Sequence, residues 1–501
     1  MSKFSNKLKE LFSIKSVDKR LVAQALNIDR TLLYRYLNDQ SFPENSAFIE
    51  QLRNELYLTP YEYKELLEAY EISKLGETVY HNRKIVAKIL DQLFSQNKPI
   101  VSSQYSSFDF NNQMMMALSD TDTIYSALQK IIMDERTTEI MMNCQPDREF
   151  VYNNLFQLLK EKVSTQNATI HHILRFQSKT SNDIVSYNLQ IFSELLPLLY
   201  YCTYYTNNSY YANYYYNNQA AVDERAMDIF PNILITSWCT IVMSFNYDSG
   251  IIYINEEISN TYKKSFEDIQ KNTFPFVLSS DGSTDLTDRC KTSPYRDYVF
   301  KTHPSASLGL GAEFYTPKYI HMDQTNGFNA EIFQFYHNKQ EILYSSNHLL
   351  RKDFFTISGL KHFLETGILS TFFSDYTEPL SKENRIEFLK LYITNIENNP
   401  NFSTHLIKDT VPNKYNGNFG VFVFNDSSVV IENSRRKLYN ISSFIEVTEK
   451  GIVDAFIDYL NLGIESEKYI LNNAETIEIL KEKINELELS IKADEGLKIK
   501  L

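Results

Sequence analysis

The segment VDKRLVAQALNIDRTLLYRYLNDQSFP, residues 17–43, constrains the chain more than any other. Its apolar residues fall into two short helical patterns separated by a turn. Val22 and Leu26 stand at i and i+4. Leu33, Tyr36 and Leu37 stand at i, i+3 and i+4, so each helix has one side to bury. Ala23 is small enough to let the two helices touch where they cross. Asn27 suits a turn that needs positive φ, Ile28 plugs that turn into the core, and Asp29 can cap the second helix by accepting from its free N–H groups. Burying one side of the second helix fixes the other as Arg30, Thr31, Tyr34, Arg35 and Asn38. An Arg can grip guanine O6 and N7, an Asn can do the same with adenine, and a Thr methyl can meet the thymine methyl. Lys19, at the start of the first helix, is placed for a phosphate, as are Lys15 and Arg20.

Charge follows the same division. Residues 1–40 hold five Lys and three Arg against Glu10, Asp18, Asp29 and Asp39, a local charge of +4. The whole chain carries −13, so the remainder carries −17. A basic head on an acidic body implies that only the head meets phosphate.

With these features, VAQALNIDRTLLYRYLNDQSFP resembles the Xre-type, or phage-repressor-like, helix-turn-helix of bacterial transcription regulators, which reads roughly A-x-x-L-G-I-S-x-x-x-[IVL]-S-x-Y-L-N-G. The resemblance covers the N-terminal helical domain only, about residues 4–75. It implies DNA contacts at Arg30, Thr31, Tyr34, Arg35 and Asn38. Asn27 replaces the turn Gly, Asp29 the Ser cap, Lys19 the Gln that often opens the first helix, and Asp39 the final Gly. A carboxylate repels phosphate, so the DNA contact of the capping residue is not carried to Asp29.

The rest of the 501 residues must form at least one further domain. We expect a multidomain protein. An all-α helix-turn-helix domain comes first, then a larger α+β (mixed α/β) effector or interaction domain, then a C-terminal amphipathic helix. The expected boundaries are 1–75 for the head, 76–110 for a connecting helix and linker, 111–463 for the body, and 464–501 for a helical tail. Thr59-Pro60 starts a helix that runs to Gly76. The polar stretch 95–109 reads as the linker, and 110–230 as mostly helical, with a helix at EFVYNNLFQLLKEKV. Residues 200–218 are rich in Tyr and Asn. They read as a helix or loop packed by its own rings in preference to an aromatic face for a ligand. ILITSWCTIVMSF, NYDSG and GIIYIN read as a hairpin or neighbouring strands, followed by a helix at EEISNTYKKSFEDI. GVFVF, a turn at 425–428 and VVIEN repeat this plan before a helix at GIVDAFIDYLNLG, which hints at a duplicated architecture. Ile477, Leu480, Ile484, Leu487 and Ile491, spaced 3, 4, 3, 4, form a seam that fits a coiled coil or a helix docked on the same chain.

No catalytic set emerges. His337-Asn338-Lys339 opens like a phospholipase D motif, but Tyr344 stands where Asp is needed and there is no second copy. SLGLGAEF (307–314) lacks the residues of a phosphate cradle. SSDGSTDLTD (279–288) has its Gly misplaced for a calcium loop. His171-His172 has no Cys or acid at ligand spacing and reads as packed. The four cysteines, Cys144, Cys202, Cys239 and Cys290, are too far apart for a metal motif and fit a reducing cytoplasm. No run approaches the ~18 apolar residues of a membrane span.

The expected function is a one-component, sequence-specific DNA-binding regulator. It has no enzymatic activity, metal or cofactor, binds double-stranded DNA, forms a homodimer, and takes a small-molecule or peptide effector in the cytoplasm without membrane contact. An enzyme with an appended DNA domain would need the convergent catalytic set that is missing, and two further alternatives share the same head. One is a pheromone-peptide sensor, which needs a helical body with a period of ~34 residues. The other is a phage-defence or prophage interaction platform.

Overall fold

The structure is a computed structural model that describes residues 1–95, 108–110, 113–178, 184–204, 209–217, 231–278, 297–309, 350–369, 378–408, 419–424, 427–433, 444–465 and 470–498. The chain divides into two compact units, Met1–Ile85 and Val86–Leu501.

The first unit is helical. It holds α1 (Lys3–Lys15), α2 (Lys19–Ala25), α3 (Arg30–Leu37), α4 (Ala47–Glu55) and α5 (Pro60–Leu75), and α6 (Glu77–Ser95) begins in it. Local chemistry sets most boundaries. Ser2, Asp18, Asp29 and Thr59 each cap a helix by accepting from a backbone N–H of its first turn. Thr59 and Glu62 form a reciprocal capping box with Pro60 at the first helical position, and Gly76, at φ 86°, ends α5. Phe4, Leu8, Leu11, Val22, Ala23, Leu26, Leu33, Leu37, Leu52 and Leu66 make one core.

The second unit contains two mixed sheets. The first has the order β1-β7-β6-β5-β2-β3-β4-β8. Its strands are β1 (Met115–Leu118), β2 (Glu139–Met142), β3 (Thr169–Gln177), β4 (Tyr210–Asn217), β5 (Asn232–Ile235), β6 (Thr240–Met243), β7 (Gly250–Tyr253) and β8 (Phe274–Pro275). The second has the order β12-β11-β10-β13-β14-β15-β9. Its strands are β9 (Val277–Leu278), β10 (Asp297–Lys301), β11 (Arg351–Thr356), β12 (Phe402–Ile407), β13 (Phe419–Phe424), β14 (Ser428–Asn433) and β15 (Phe444–Val447). The same wiring occurs twice. Three parallel strands (β2, β3, β4; β10, β11, β12) lie beside a three-stranded antiparallel meander (β5, β6, β7; β13, β14, β15). An earlier strand, β1 or β9, pairs antiparallel with the last strand of each meander. Beyond the outer parallel strand lies a short antiparallel partner in each case: β8 beside β4, and a bridge from Ile470 to Ile407 on β12. The hinted duplication is therefore present in the topology, and it extends well past the hairpin and helix that suggested it.

Helices cover both sheets. In the first half they are α7 (Thr121–Met133), α8 (Phe156–Thr165, entered through a π-helical turn at Phe150–Leu155), α9 (Ile184–Tyr204) and α10 (Glu256–Gln270). Phe156 of α8 meets His172 of β3, while Phe266 of α10 packs with Met141, Ile173 and Ile235 on the opposite side of the sheet. In the second half they are α11 (Ile357–Thr366), α12 (Lys382–Asn398), α13 (Lys450–Glu465) and α14 (Asn473–Lys498). Phe355, Phe402 and Leu406 are buried with α12 and α14, whereas Asn461 of α13 bonds Lys352 and Tyr298 on the other side. The halves meet at buried Glu449. Its carboxylate accepts from the N–H of Ile452, from Tyr216 Oη at 2.8 Å and from Asn188 Nδ2 at 3.4 Å.

Several sequence expectations need correction. The stretch 110–230 is helical at α7, α8 and α9 as expected, but among its described residues it also supplies the four strands β1–β4. The Tyr/Asn-rich segment is neither helix nor loop over its described second part, 210–217, but strand β4. Tyr210 and Tyr214 point inward there, and Tyr211 and Tyr215 stay exposed. ILITSWCTIVMSF is broken into β5 and β6 by a turn. Thr236 and Cys239 bond each other across it, and Trp238 is anchored to Thr137 Oγ1 at 3.0 Å beneath the Arg136 guanidinium. The C-terminal seam faces its own chain: Ile477, Leu480 and Ile484 are buried against α12. A seam already filled cannot also pair with a second copy. Among the described residues no helix is long and apolar enough to cross a membrane. The residues at 279–296 and 310–349, which include Cys290, the SSDGSTDLTD segment and His337-Asn338-Lys339, lie outside the described residues, as does most of the 95–109 stretch.

Candidate nucleic-acid interface

The α2–α3 pair is built as its residues dictate. Asp18 Oδ1 accepts from Arg20 N at 2.7 Å and starts α2. The turn places Asn27 at φ 52°, and the N–H of Ile28 returns to the carbonyl of Ala23 at 3.0 Å. Asp29 Oδ1 then accepts from Thr31 N at 2.6 Å. Hydrogen bonds from Thr31, first from its side chain and then from its backbone, hold the Asp29 carboxyl below the usual range. The carboxylate is thus bound to the start of α3, and the Thr31 hydroxyl is engaged with it, which leaves the Thr31 methyl as its free contact.

Burial orients α3. Leu33, Tyr36 and Leu37 are buried in the core with Val22 and Ala23. Arg30, Thr31, Arg35 and Asn38 are exposed, and Tyr34 is half-buried among them. The far end of α3 is pinned to α1. Ser5 Oγ donates to the carbonyl of Tyr36 at 2.7 Å, and Asp39, at φ 62°, accepts from Ser2 N at 2.7 Å. Asp39 therefore fills a position in the left-handed region and also ties the N-terminus down.

The cations sort into two groups. Lys3, Lys7 and Lys15 are held in ion pairs with Glu77, Glu65 and Glu62. Lys15 is consequently not the free phosphate contact expected of it: its Nζ lies 2.8 Å from Glu62 Oε2, and Glu62 is drawn down to about 2, first by that hydrogen bond and then by the N–H of Thr59. Lys19, Arg20, Arg30 and Arg35 have no ion pair among the described residues. All four lie on α2 or α3, and Lys9 of α1, Arg53 of α4 and Lys64 of α5 likewise make no ion pair among the described residues. Lys19 and Arg30 also gather at one ring, with Lys19 Nζ 5.6 Å and Arg30 Cζ 5.3 Å from the Tyr34 centroid. Sequence reasoning placed these three residues separately. The i, i+4 spacing of Arg30 and Tyr34 was the one signal for their pairing.

The other polar candidates are structural. His172 Nε2 donates to the carbonyl of Cys144 at 2.7 Å, which leaves Nδ1 to accept from Tyr210 Oη. Burial pushes the His172 ring down to about 3. His171 stacks on Tyr211 at 5.3 Å. Cys144, Cys202 and Cys239 are buried thiols outside any disulfide, each pushed up to about 12 by burial. Among the described residues no group of three or more His, Cys, Asp or Glu could hold a metal ion.

No protein-family model and no curated protein matches the chain. Among solved structures, TrmBL2, an archaeal chromatin protein described as showing a novel mode of DNA binding, aligns over 50% of this chain and 84% of its own at 12% identity and a TM-score of 0.23. A similarity that low carries no argument about fold or function here, so the reading of the interface rests on its own residues.

Proposed function

We propose that the N-terminal unit is a DNA-binding head of the Xre-type helix-turn-helix class and that the protein is a sequence-specific transcription regulator. The observation that carries this reading is the division of cations. Lys3, Lys7 and Lys15 of α1 are neutralised by acids of the same unit, while Lys9 of α1 and, beside a recognition helix whose other side is locked in the core, Lys19, Arg20, Arg30 and Arg35 have no ion pair among the described residues. The positive end of the α3 dipole adds to them. Arg30, Thr31, Arg35 and Asn38 read base edges with Tyr34 among them on the DNA-facing side, and Lys19 and Arg20 meet phosphate.

One head buries little surface, so tight binding calls for two half-sites and a homodimer. The contact that joins two copies lies outside the α14 seam. The body serves as an effector or interaction domain, and its acidity keeps it off the duplex. Its two mixed sheets speak against the helical-repeat body that a pheromone sensor of this class needs. The reading is tested by gel shift on duplex DNA. Arg30→Ala or Asn38→Ala costs about 1–3 kcal/mol on the preferred site and relaxes one base position. Wild-type protein that binds no duplex would remove the proposal.

A further inference from the structure

Tyr34 sits at the middle of the exposed side of α3 and makes more polar and cationic contacts than its neighbours there. Arg30, one helical turn earlier, lays its guanidinium 5.3 Å from the ring centroid and reaches the phenol oxygen with Nη2 at 3.4 Å. Lys19, from the first turn of α2, brings Nζ to 5.6 Å of the same centroid. The ring is thus the one element that relates a cation of α2 to a cation of α3. Two like charges drawn to one half-buried ring repel each other, and Asp18, the cap of α2, is the acid whose charge acts on Arg30 and on the Tyr34 phenol. An arrangement of this kind is completed by acceptors from outside: one set for a planar fork of N–H groups and one for a point charge. Guanine O6 and N7 suit the first, and a phosphate oxygen suits the second.

We propose that Tyr34 is the positioning residue of the interface: it holds Arg30 for a guanine and Lys19 for a neighbouring phosphate, so that the head selects a G·C pair where Arg30 meets the groove. This rests on the DNA-binding reading and adds to it a residue that acts through two others. Without the ring, Arg30 is a long exposed side chain whose ordering must be repeated at every binding event. With it, part of that entropy is lost before DNA arrives.

The test selects binding sites for full-length protein from a pool of short duplexes with random cores, for wild type, Tyr34→Phe and Tyr34→Ala. Selected duplexes and single-base changes in them are then measured by gel shift over a salt series. Wild type is expected to select a fixed G·C pair. Tyr34→Phe keeps the ring and retains that preference. Tyr34→Ala loses roughly two- to fivefold in discrimination at that pair alone, the size of an exposed cation–π contact, while the other selected positions are unchanged. A defect that was merely structural would weaken all positions together. Lys19→Ala lowers the salt slope by about one without touching base preference. Sites selected by wild type but read equally well by Tyr34→Ala, or a Tyr34→Phe variant as relaxed as Tyr34→Ala, overturn the role of Tyr34 and leave the DNA reading intact. No selection by wild type overturns both.

Discussion

The two halves of the body share one wiring and finish their surfaces differently. Each has a stacked cross-strand pair at the outer parallel strands: His171 with Tyr211 on β3–β4, and Phe354 with His405 on β11–β12. In the first half Tyr211 is 49% exposed. In the second, His405 is 4% exposed and its Nδ1 faces the carbonyl of Leu471. The difference lies in the chain that leaves each meander. After α10 it adds only the two-residue β8, whereas after α13 it returns along β12 at Ile470 and continues into α14. Strand order is therefore the invariant of this duplicated fold, and the outer cover is the part free to change. This is expected when ladder hydrogen bonds fix the sheet and side-chain packing fixes only the layer that lies on it.

The largest effect that separates the halves should come from α14. A chain ending at Asn472 loses Ile477, Leu480 and Ile484 from the second-half core. Leu480→Ala alone should cost about 2–5 kcal/mol. Hydrogen exchange checks where the loss falls. Protection should drop in β11, β12 and α12 and persist in β3 and β4. Equal loss in both halves would show that the cover stabilises the unit as a whole.

A second effect is shared by the halves and differs in extent. Burial pushes His172 down to about 3 and His405 down to about 4, from an ordinary value of 6.5. Both rings stay neutral in the folded chain, while the unfolded chain takes up protons below 6.5. The stability they contribute is whole above that pH and is lost as pH falls, until about 4 for His405 and about 3 for His172. Each group can add up to about 1.4 kcal/mol per pH unit. Denaturant unfolding from pH 8 to pH 5 should show stability falling with pH, and the slope should lessen by up to one proton in His172→Gln relative to wild type. An unchanged slope in His172→Gln would mean that this ring is not kept neutral by burial.

The smallest effect concerns the ion pairs along α12 and α14. Lys390 to Glu488 and Lys481 to Glu397, each 2.8 Å, are exposed. Lys390→Ala should cost less than about 1 kcal/mol, and salt should erase the difference. A larger loss in thermal unfolding would move the origin of the cover from its apolar seam to its charges.

These contrasts also explain which parts of the fold could be read in advance. The α2–α3 pair was legible because every signal is local: Ala23 at the crossing, Asn27 at the turn and Asp29 at the cap lie within seven residues. The β13–β14 hairpin was legible for the same reason, with a short turn between register partners Phe424 and Ser428. Strands β2, β3 and β4 were not. Parallel neighbours are joined through long crossovers and leave no turn signature. Within β3, Ile170, His172, Ile173, Leu174 and Phe176 are all buried, so the alternation that marks a half-exposed strand is absent. The seam of α14 was visible as a seam, but its spacing says nothing about which surface fills it. At the interface the outward residues came from the buried ones by elimination, while the pairing of Lys15 with Glu62 and of Lys19 with Tyr34 depended on how helices distant in sequence come together.

The position of α14 in the chain has a consequence during synthesis. The first half has its strands and its four covering helices by the time residue 278 has been made, so it can close while the ribosome is still working. The second half cannot. Phe402, Leu406 and the inner side of α12 wait for a helix that begins only at Asn473. Until then, a nascent chain carries a finished domain half beside an open apolar sheet. Chaperone demand, co-translational aggregation and sensitivity to translation pauses should therefore fall on the interval between β12 and α14 and spare the head and the first sheet.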